Sequence, residues 1–221
     1  MNAQDVVEIM QRGGVVPVVR LPSLEQATPL VKALLAGGVT AIEPTMTSPG
    51  ALEVLPRLLD EVPAFRAGEA VLGMGSVTSQ EQVAAALAAG AQFIVAPILD
   101  LEVVAYCVDQ GAAVMPGAFT PTEIQTAWRA GASVVKVFPA RALGPAYFKD
   151  LLAPLPHLRL MPTGGVDLDN APAFIRNGAV AVGVGGALVS PKLVAAQAWE
   201  ELTARAAQFV EAVQQARGRN R

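Results

Sequence analysis

The sequence predicts one α/β domain over residues 1–221, a (β/α)8 TIM barrel with an extra N-terminal helix. Three observations carry that expectation. The first is an internal repeat in which an Ala/Leu-rich segment ends in glycine and a short β-branched run follows. It reads AlaGlyGlyValThrAlaIleGlu at 36–43, AlaAlaGlyAlaGlnPheIleVal at 88–95, GlnGlyAlaAlaValMet at 110–115, AlaGlyAlaSerValValLysVal at 130–137 and AsnGlyAlaValAlaValGly at 177–183. The glycine supplies the left-handed residue that stops a helix. The run behind it is apolar on both faces, as a buried parallel strand must be. The second is spacing: the strands begin roughly every 20 to 30 residues, the length of one strand–helix unit. The third is the lack of a GxGxxG loop after the first strand, which a doubly wound open sheet would use to hold a dinucleotide.

With the weaker units included, strands are predicted near 14–19, 39–45, 70–75, 92–97, 112–116, 133–138, 158–162 and 179–184. Val6–Gln11 is the extra helix. Helical segments lie between the strands, at Leu24–Leu35, Ala51–Leu59, Ser79–Ala89, Pro121–Ala130 and Leu168–Arg176. A last helix is placed over 192–216, docking through Leu193, Trp199, Leu202, Ala206, Phe209 and Val213 at helical spacing. A short basic tail, 217–221, carries Arg217, Arg219 and Arg221.

The hydrophobic share of 52% fills a large core, and the 5% aromatic share leaves Ala, Val, Leu and Ile to build it. A net charge of −3 and no basic block beyond the tail argue against nucleic acid. Mean hydropathy is +0.43, yet glycine, proline or a charge cuts every apolar stretch short of a membrane span. The acidic start has no basic segment of the signal-peptide kind, so the cytoplasm is the expected location. Cys107 is the one cysteine, which excludes an internal disulfide and reads as a buried structural thiol. His157 is the one histidine, which argues against a histidine-cluster metal site; it reads as a solvated loop residue.

In such a barrel the chemistry sits at the C-terminal ends of the strands. Of the four lysines only Lys136 falls in an apolar strand, and of twelve glutamates only Glu43 does. Arg20 ends the first strand, whereas Arg159 begins its strand and is expected at the opposite end. A buried Lys136–Glu43 pair without chemistry is one reading, but such pairs stabilise weakly compared with apolar replacements. The other reading is catalytic. Apolar surroundings and nearby Arg20 depress the lysine and leave a neutral amine nucleophile, and the carboxylate moves protons. Amine plus carboxylate suits Schiff-base chemistry on a carbonyl.

Paired glycines follow the last two strands, Gly164-Gly165 and Gly185-Gly186. They let backbone N–H groups approach a phosphate, at the barrel position where that recurs. Pro49, Pro97, Pro116 and Pro139 close several strands with rigid exits. Ser76 is a small hydroxyl at a strand end, placed to hold a carboxylate or to cap the next helix.

These residues fall into ordered motifs: GlyGlyValValProValValArg at 13–20, IleGluProThrMetThrSerPro at 42–49, GlyMetGlySerVal at 73–77 and PheIleValAlaPro at 93–97. They continue as MetProGlyAlaPheThrProThrGlu at 115–123, ValLysValPhePro at 135–139 and ProThrGlyGlyVal at 162–166. From about residue 5 to 190 the chain resembles the 2-keto-3-deoxy-6-phosphogluconate and 2-keto-3-deoxy-6-phosphogalactonate aldolases, class I pyruvate aldolases. The resemblance implies that Lys136 forms the Schiff base and Glu43 is the acid/base. It further implies that Arg20, Thr47, Ser76, Pro97, Pro116, Phe138 and Thr163 line the substrate site, and that Gly164, Gly165, Gly185 and Gly186 hold phosphate. By the same likeness the activity is cleavage of a phosphorylated keto sugar acid to pyruvate and glyceraldehyde 3-phosphate. No metal or cofactor, no nucleic acid and no membrane take part, and the assembly is a homotrimer. Rival readings are a phosphate-binding barrel isomerase or epimerase and a non-catalytic phosphosugar-binding protein.

There are departures from the family pattern. Thr47-Ser48-Pro49 stands where gluconate-type members have Arg-Thr-Pro and the galactonate type has Asn-Ser-Pro. That arginine contacts the substrate carboxylate, so the contact passes here to neutral donors or to Arg20. Ala142-Leu143-Gly144-Pro145 is similar to the galactonate branch and Pro162-Thr163-Gly164-Gly165 to the gluconate branch. Ala187 replaces a phosphate-binding serine of some members, and Pro44 replaces an aliphatic residue beside Glu43.

Overall fold

The computed structural model describes residues 1–218. Every predicted strand forms: β1 (Val15–Val19), β2 (Ala41–Pro44), β3 (Val71–Met74), β4 (Phe93–Val95), β5 (Ala113–Met115), β6 (Gly117–Ala118), β7 (Val135–Val137), β8 (Leu160–Pro162) and β9 (Val182–Val184). The fifth predicted strand appears as two pieces, β5 and β6, parted at Pro116, which has no N–H to give a ladder. All pairings are parallel, in the orders β5-β4-β3-β2-β1-β9 and β6-β7-β8. Single bonds close the ring. Val180 N–H donates to Leu160 O at 2.9 Å, Thr163 bridges Gly183, and Ser133 N–H donates to Val114 O at 2.9 Å. The fold is the expected (β/α)8 barrel.

The helices are α1 (Ala3–Gly13), α2 (Ala27–Ala36), α3 (Ala51–Glu61), α4 (Pro63–Arg66), α5 (Gln80–Ala88), α6 (Leu101–Asp109), α7 (Pro121–Arg129), α8 (Gly144–Leu152), α9 (Ala171–Arg176), α10 (Pro191–Ala195) and α11 (Trp199–Gly218). The extra helix α1 is longer than expected because Asn2 and Asp5 form a capping box in front of it. The predicted helix over 192–216 is corrected: α10 and α11 are separate. Gln197 adopts φ 52° between them, and this Ala-rich stretch holds no glycine or proline to announce the break. Leu202, Ala206, Phe209 and Val213 are buried as predicted, with Leu193 and Trp199 half-buried at the edge. Arg217 is not a free tail residue. Its guanidinium donates to Gln11 O and Val180 O, each at 2.6 Å, while Arg219 and Arg221 lie outside the described residues.

Side-chain alternation along each strand divides the core in two. Val15, Ile42, Leu72, Ile94, Val135 and Val137 face the helices. Val16, Ala41, Val71, Phe93, Val134 and Met161 fill the barrel interior, where Val6, Val7 and Met10 of α1 pack against them. Helix α1 therefore plugs the N-terminal end of the barrel. Arg159 sits at that closed end, donating to Gln4 Oε1 at 3.0 Å, as its place at a strand start predicts. Cys107 is fully buried on α6, and burial pushes its thiol up to about 12, so it is chemically inert. No helix among the described residues is long and apolar enough to cross a membrane.

Candidate active site

The same alternation decides which strand residues reach the open mouth. Val135 and Val137 point outward, so Lys136 points in; Ile42 points outward, so Glu43 points in. Lys136 is held between β6 and β8 in register with Gly117 and Met161, and its N–H donates to Pro116 O at 3.0 Å. Glycines occupy inward positions around this layer, because no other side chain fits. A Cβ on Gly75 would lie 2.0 Å from Glu43 Oε1, one on Gly183 would lie 2.3 Å from Thr163 Oγ1, and one on Gly117 would lie 2.3 Å from Pro97 O. The barrel is thus packed solid below and emptied above.

The space above is a cavity of about 500 Å³. Arg20, Ser76, Pro97, Lys136, Phe138, Thr163, Gly164, Gly165, Gly185 and Gly186 line it, all expected from the sequence. Glu43 lies beneath, 1% exposed, and Lys136 is 6% exposed. Pro44 leaves Glu43 facing inward, and its carbonyl accepts the N–H of Gly75 at 2.7 Å. Two expected residues stand outside the cavity wall. Thr47 is exposed and in contact with the hydroxyl of Thr45 at 3.0 Å, and Pro116 is buried behind Lys136. Further lining residues were not foreseen: the apolar Val18, Val166, Val189 and Pro191, and the charged Arg141 and Asp167. Arg141 was legible in principle, as a cation four residues past the end of β7, the strand that carries Lys136. His157 is exposed on a loop, paired with Gln125 at 3.3 Å and beside Trp128, away from the cavity.

Electrostatically the site brings two acids, Glu43 and Asp167, together with three basic side chains, Arg20, Lys136 and Arg141. Burial raises the Glu43 carboxyl from 4.5 to about 7, although the charges of Lys136 and Arg20 pull it back down. Burial also lowers the Lys136 amine, opposed by Glu43 and reinforced by Arg20. Lys136 Nζ lies 4.9 Å from the Phe138 ring centroid, and no ion pair joins Lys136 to Glu43 among the described residues. Glu43 Oε2 and Thr163 Oγ1 are buried with no hydrogen-bond partner. Such orphan polar atoms are costly unless something else satisfies them. Arg20 reaches across to Ser76 Oγ at 3.3 Å, and Ser76 itself holds a left-handed backbone, φ 60°.

The opposite wall is built from backbone. Gly164 and Gly165 both adopt positive φ, 86° and 84°, and a Cβ on Gly185 or Gly186 would meet nothing within 4 Å. The N–H groups of Gly164, Gly165 and Gly186 donate to no acceptor among the described residues. Unused amides edging an open cavity suit an anion.

Together these features make a parallel barrel plugged at one end, with a buried amine above a buried acid and an amide rim at its open mouth. The chain belongs to the KDPG and KHG aldolase family, whose profile matches residues 6–205. It is 36% identical over 209 residues to the 2-dehydro-3-deoxy-phosphogluconate aldolase of Treponema pallidum (strain Nichols), covering 94% of this chain and 97% of that one. It is 35% identical over 193 residues to the 2-dehydro-3-deoxy-6-phosphogalactonate aldolase of Escherichia coli (strain K12), covering 87% and 90%. The KDPG aldolase from Legionella pneumophila, with pyruvate captured as a covalent carbinolamine, superposes with a TM-score of 0.83 at 26% identity, covering 92% and 97%.

Proposed function

We propose that this protein is a class I aldolase that cleaves a 2-keto-3-deoxy-6-phospho sugar acid to pyruvate and glyceraldehyde 3-phosphate. The observation that carries the reading is Lys136, a lysine amine lowered by burial, aimed into the cavity above a carboxyl whose affinity for protons sits near neutrality.

The neutral amine of Lys136 adds to the C2 ketone, and loss of water leaves a protonated imine. Glu43, as carboxylate, accepts the proton of the C4 hydroxyl through an intervening water. The C3–C4 bond breaks, its electron pair flows into the imine nitrogen, and the aldehyde departs. The enamine then takes a proton at C3 from the Glu43 side, and water hydrolyses the imine to release pyruvate and restore the amine. A group that must both accept and return a proton works best near its own midpoint. Arg20 and Ser76 are placed for the substrate carboxylate, Thr163 Oγ1 for a hydroxyl, and the glycine amides for phosphate. Contacts remote from the reacting carbon hold it against Lys136. Thr47 and Pro116, outside the cavity, take supporting places behind Thr45 and Lys136.

The test is reductive trapping. Borohydride with pyruvate is expected to add mass to the peptide carrying Lys136 and to inactivate the enzyme; labelling elsewhere, or none, overturns the reading. A homotrimer fits an apolar patch at the rim, where Ile98 and Leu101 are exposed. The cytoplasm fits a buried free thiol.

A further inference from the structure

Arg141 lies in the short turn Ala140–Ala142 that follows β7 directly, at the catalytic mouth. Two backbone bonds stitch that turn to the glycine loop after β8. Ala140 N–H donates to Thr163 O at 2.8 Å and Arg141 N–H to Gly164 O at 2.9 Å. The side chain then runs along Gly165. A Cβ there would lie 2.5 Å from Arg141 Cβ and 3.0 Å from Arg141 Nε, so only glycine admits this approach. Gly165 is pinned from the other side, its carbonyl accepting from Asn170 Nδ2 at 2.8 Å.

The guanidinium faces the cavity without a carboxylate of its own. The ion pairs among the described residues are Arg66–Asp60 and Arg205–Glu201. Asp167 lines the same cavity, but its Oδ1 accepts the N–H groups of Asp169 at 3.1 Å and Asn170 at 3.0 Å. The other cavity arginine, Arg20, leans away toward β3 and meets Ser76. Two cations therefore stand apart around Lys136, one beside a serine hydroxyl and one beside unused glycine amides. A substrate with a carboxylate at one end and a phosphate at the other meets a cation at each. Amides alone supply the phosphate with partial charges, and Ala187 adds no side-chain donor; a guanidinium adds a full charge and a planar fork of N–H groups.

We propose that Arg141 is the charged ligand of the substrate phosphate and the residue by which the enzyme prefers phosphorylated over unphosphorylated 2-keto acids. This rests on the aldolase reading, so the test separates the two. Wild type, Arg141→Ala and Arg141→Lys are assayed on a 2-keto-3-deoxy-6-phospho sugar acid and on its dephosphorylated counterpart. Arg141→Ala is expected to raise KM for the phosphorylated acid by about ten- to a hundredfold, with kcat within about threefold. The dephosphorylated acid should be cleaved as by wild type, and Arg141→Lys should recover part of the loss. Equal losses on both acids, or an unchanged KM, overturn the assignment. Calorimetric titration with inorganic phosphate tests it without turnover. Wild type should bind and Arg141→Ala should bind at least about tenfold more weakly; equal binding, or none to wild type, also overturns it. Failure of pyruvate trapping at Lys136 in wild type instead strikes the aldolase reading, whatever phosphate does.

Discussion

Gly75 leaves the volume that Glu43 occupies: a Cβ on Gly75 would lie 2.0 Å from the carboxylate Oε1 and 2.7 Å from its Cδ. A backbone choice just past β3 thus sets where an acid on β2 can stand. Gly75→Ala forces the carboxylate to move by an ångström or more, and such a displacement costs on the order of a hundredfold in rate. The expected outcome is a kcat for cleavage lowered about 10²-fold, with borohydride trapping of pyruvate on Lys136 preserved. Near-normal turnover would remove Glu43 from proton transfer.

Glu43 also fixes a pH dependence. Its folded value of about 7 lies above the usual 4.5 because burial opposes the charge. Cleavage needs the carboxylate, so kcat should rise as pH rises through about 7 and be lost below it. Glu43→Gln should abolish that limb and lower turnover by roughly 10²- to 10⁴-fold. Stability runs the other way. Between 4.5 and about 7 the folded protein holds a proton that the unfolded chain has released, so stability falls as pH rises across that window. Thermal unfolding should therefore show Glu43→Gln more stable than wild type at pH 8, by roughly a few degrees, and little different at pH 4.

Much of this site is readable from the sequence because charges inside apolar strands are rare. Lys136 and Glu43 stand out for that reason, and alternation alone turns both inward. The glycine pairs after β8 and β9 are legible by their place in the strand order. Less visible are residues whose role is relational. Gly75 and Gly183 serve by what they do not occupy, and that depends on which neighbour is opposite, across two strands. Arg141 belongs to a loop, where no periodicity marks the direction of a side chain. Thr47 sits in the right loop by its motif, yet the turn after β2 points it to Thr45 and solvent. The break between α10 and α11 depends on one left-handed glutamine, Gln197, a conformation its residue type does not advertise.

Position 183 and position 186 separate packing from binding on one strand exit. A Cβ on Gly183 meets Thr163 Oγ1 at 2.3 Å, and Thr163 is 6% exposed with that hydroxyl already unpartnered. Gly183→Ala must push Thr163 aside, an overpacking cost of about 1–3 kcal/mol, so a fall in the midpoint of thermal unfolding is expected. A Cβ on Gly186 meets nothing within 4 Å and projects into space that the cavity shares. Gly186→Val should leave the unfolding midpoint within roughly a degree while its methyl groups occupy the approach to the amide rim, raising KM for a phosphorylated substrate at least about tenfold. Unfolding scans and steady-state kinetics on the two variants distinguish these outcomes. If Gly186→Val instead lowers stability as much as Gly183→Ala and leaves KM unchanged, the rim after β9 is a packing element rather than the seat of the phosphate.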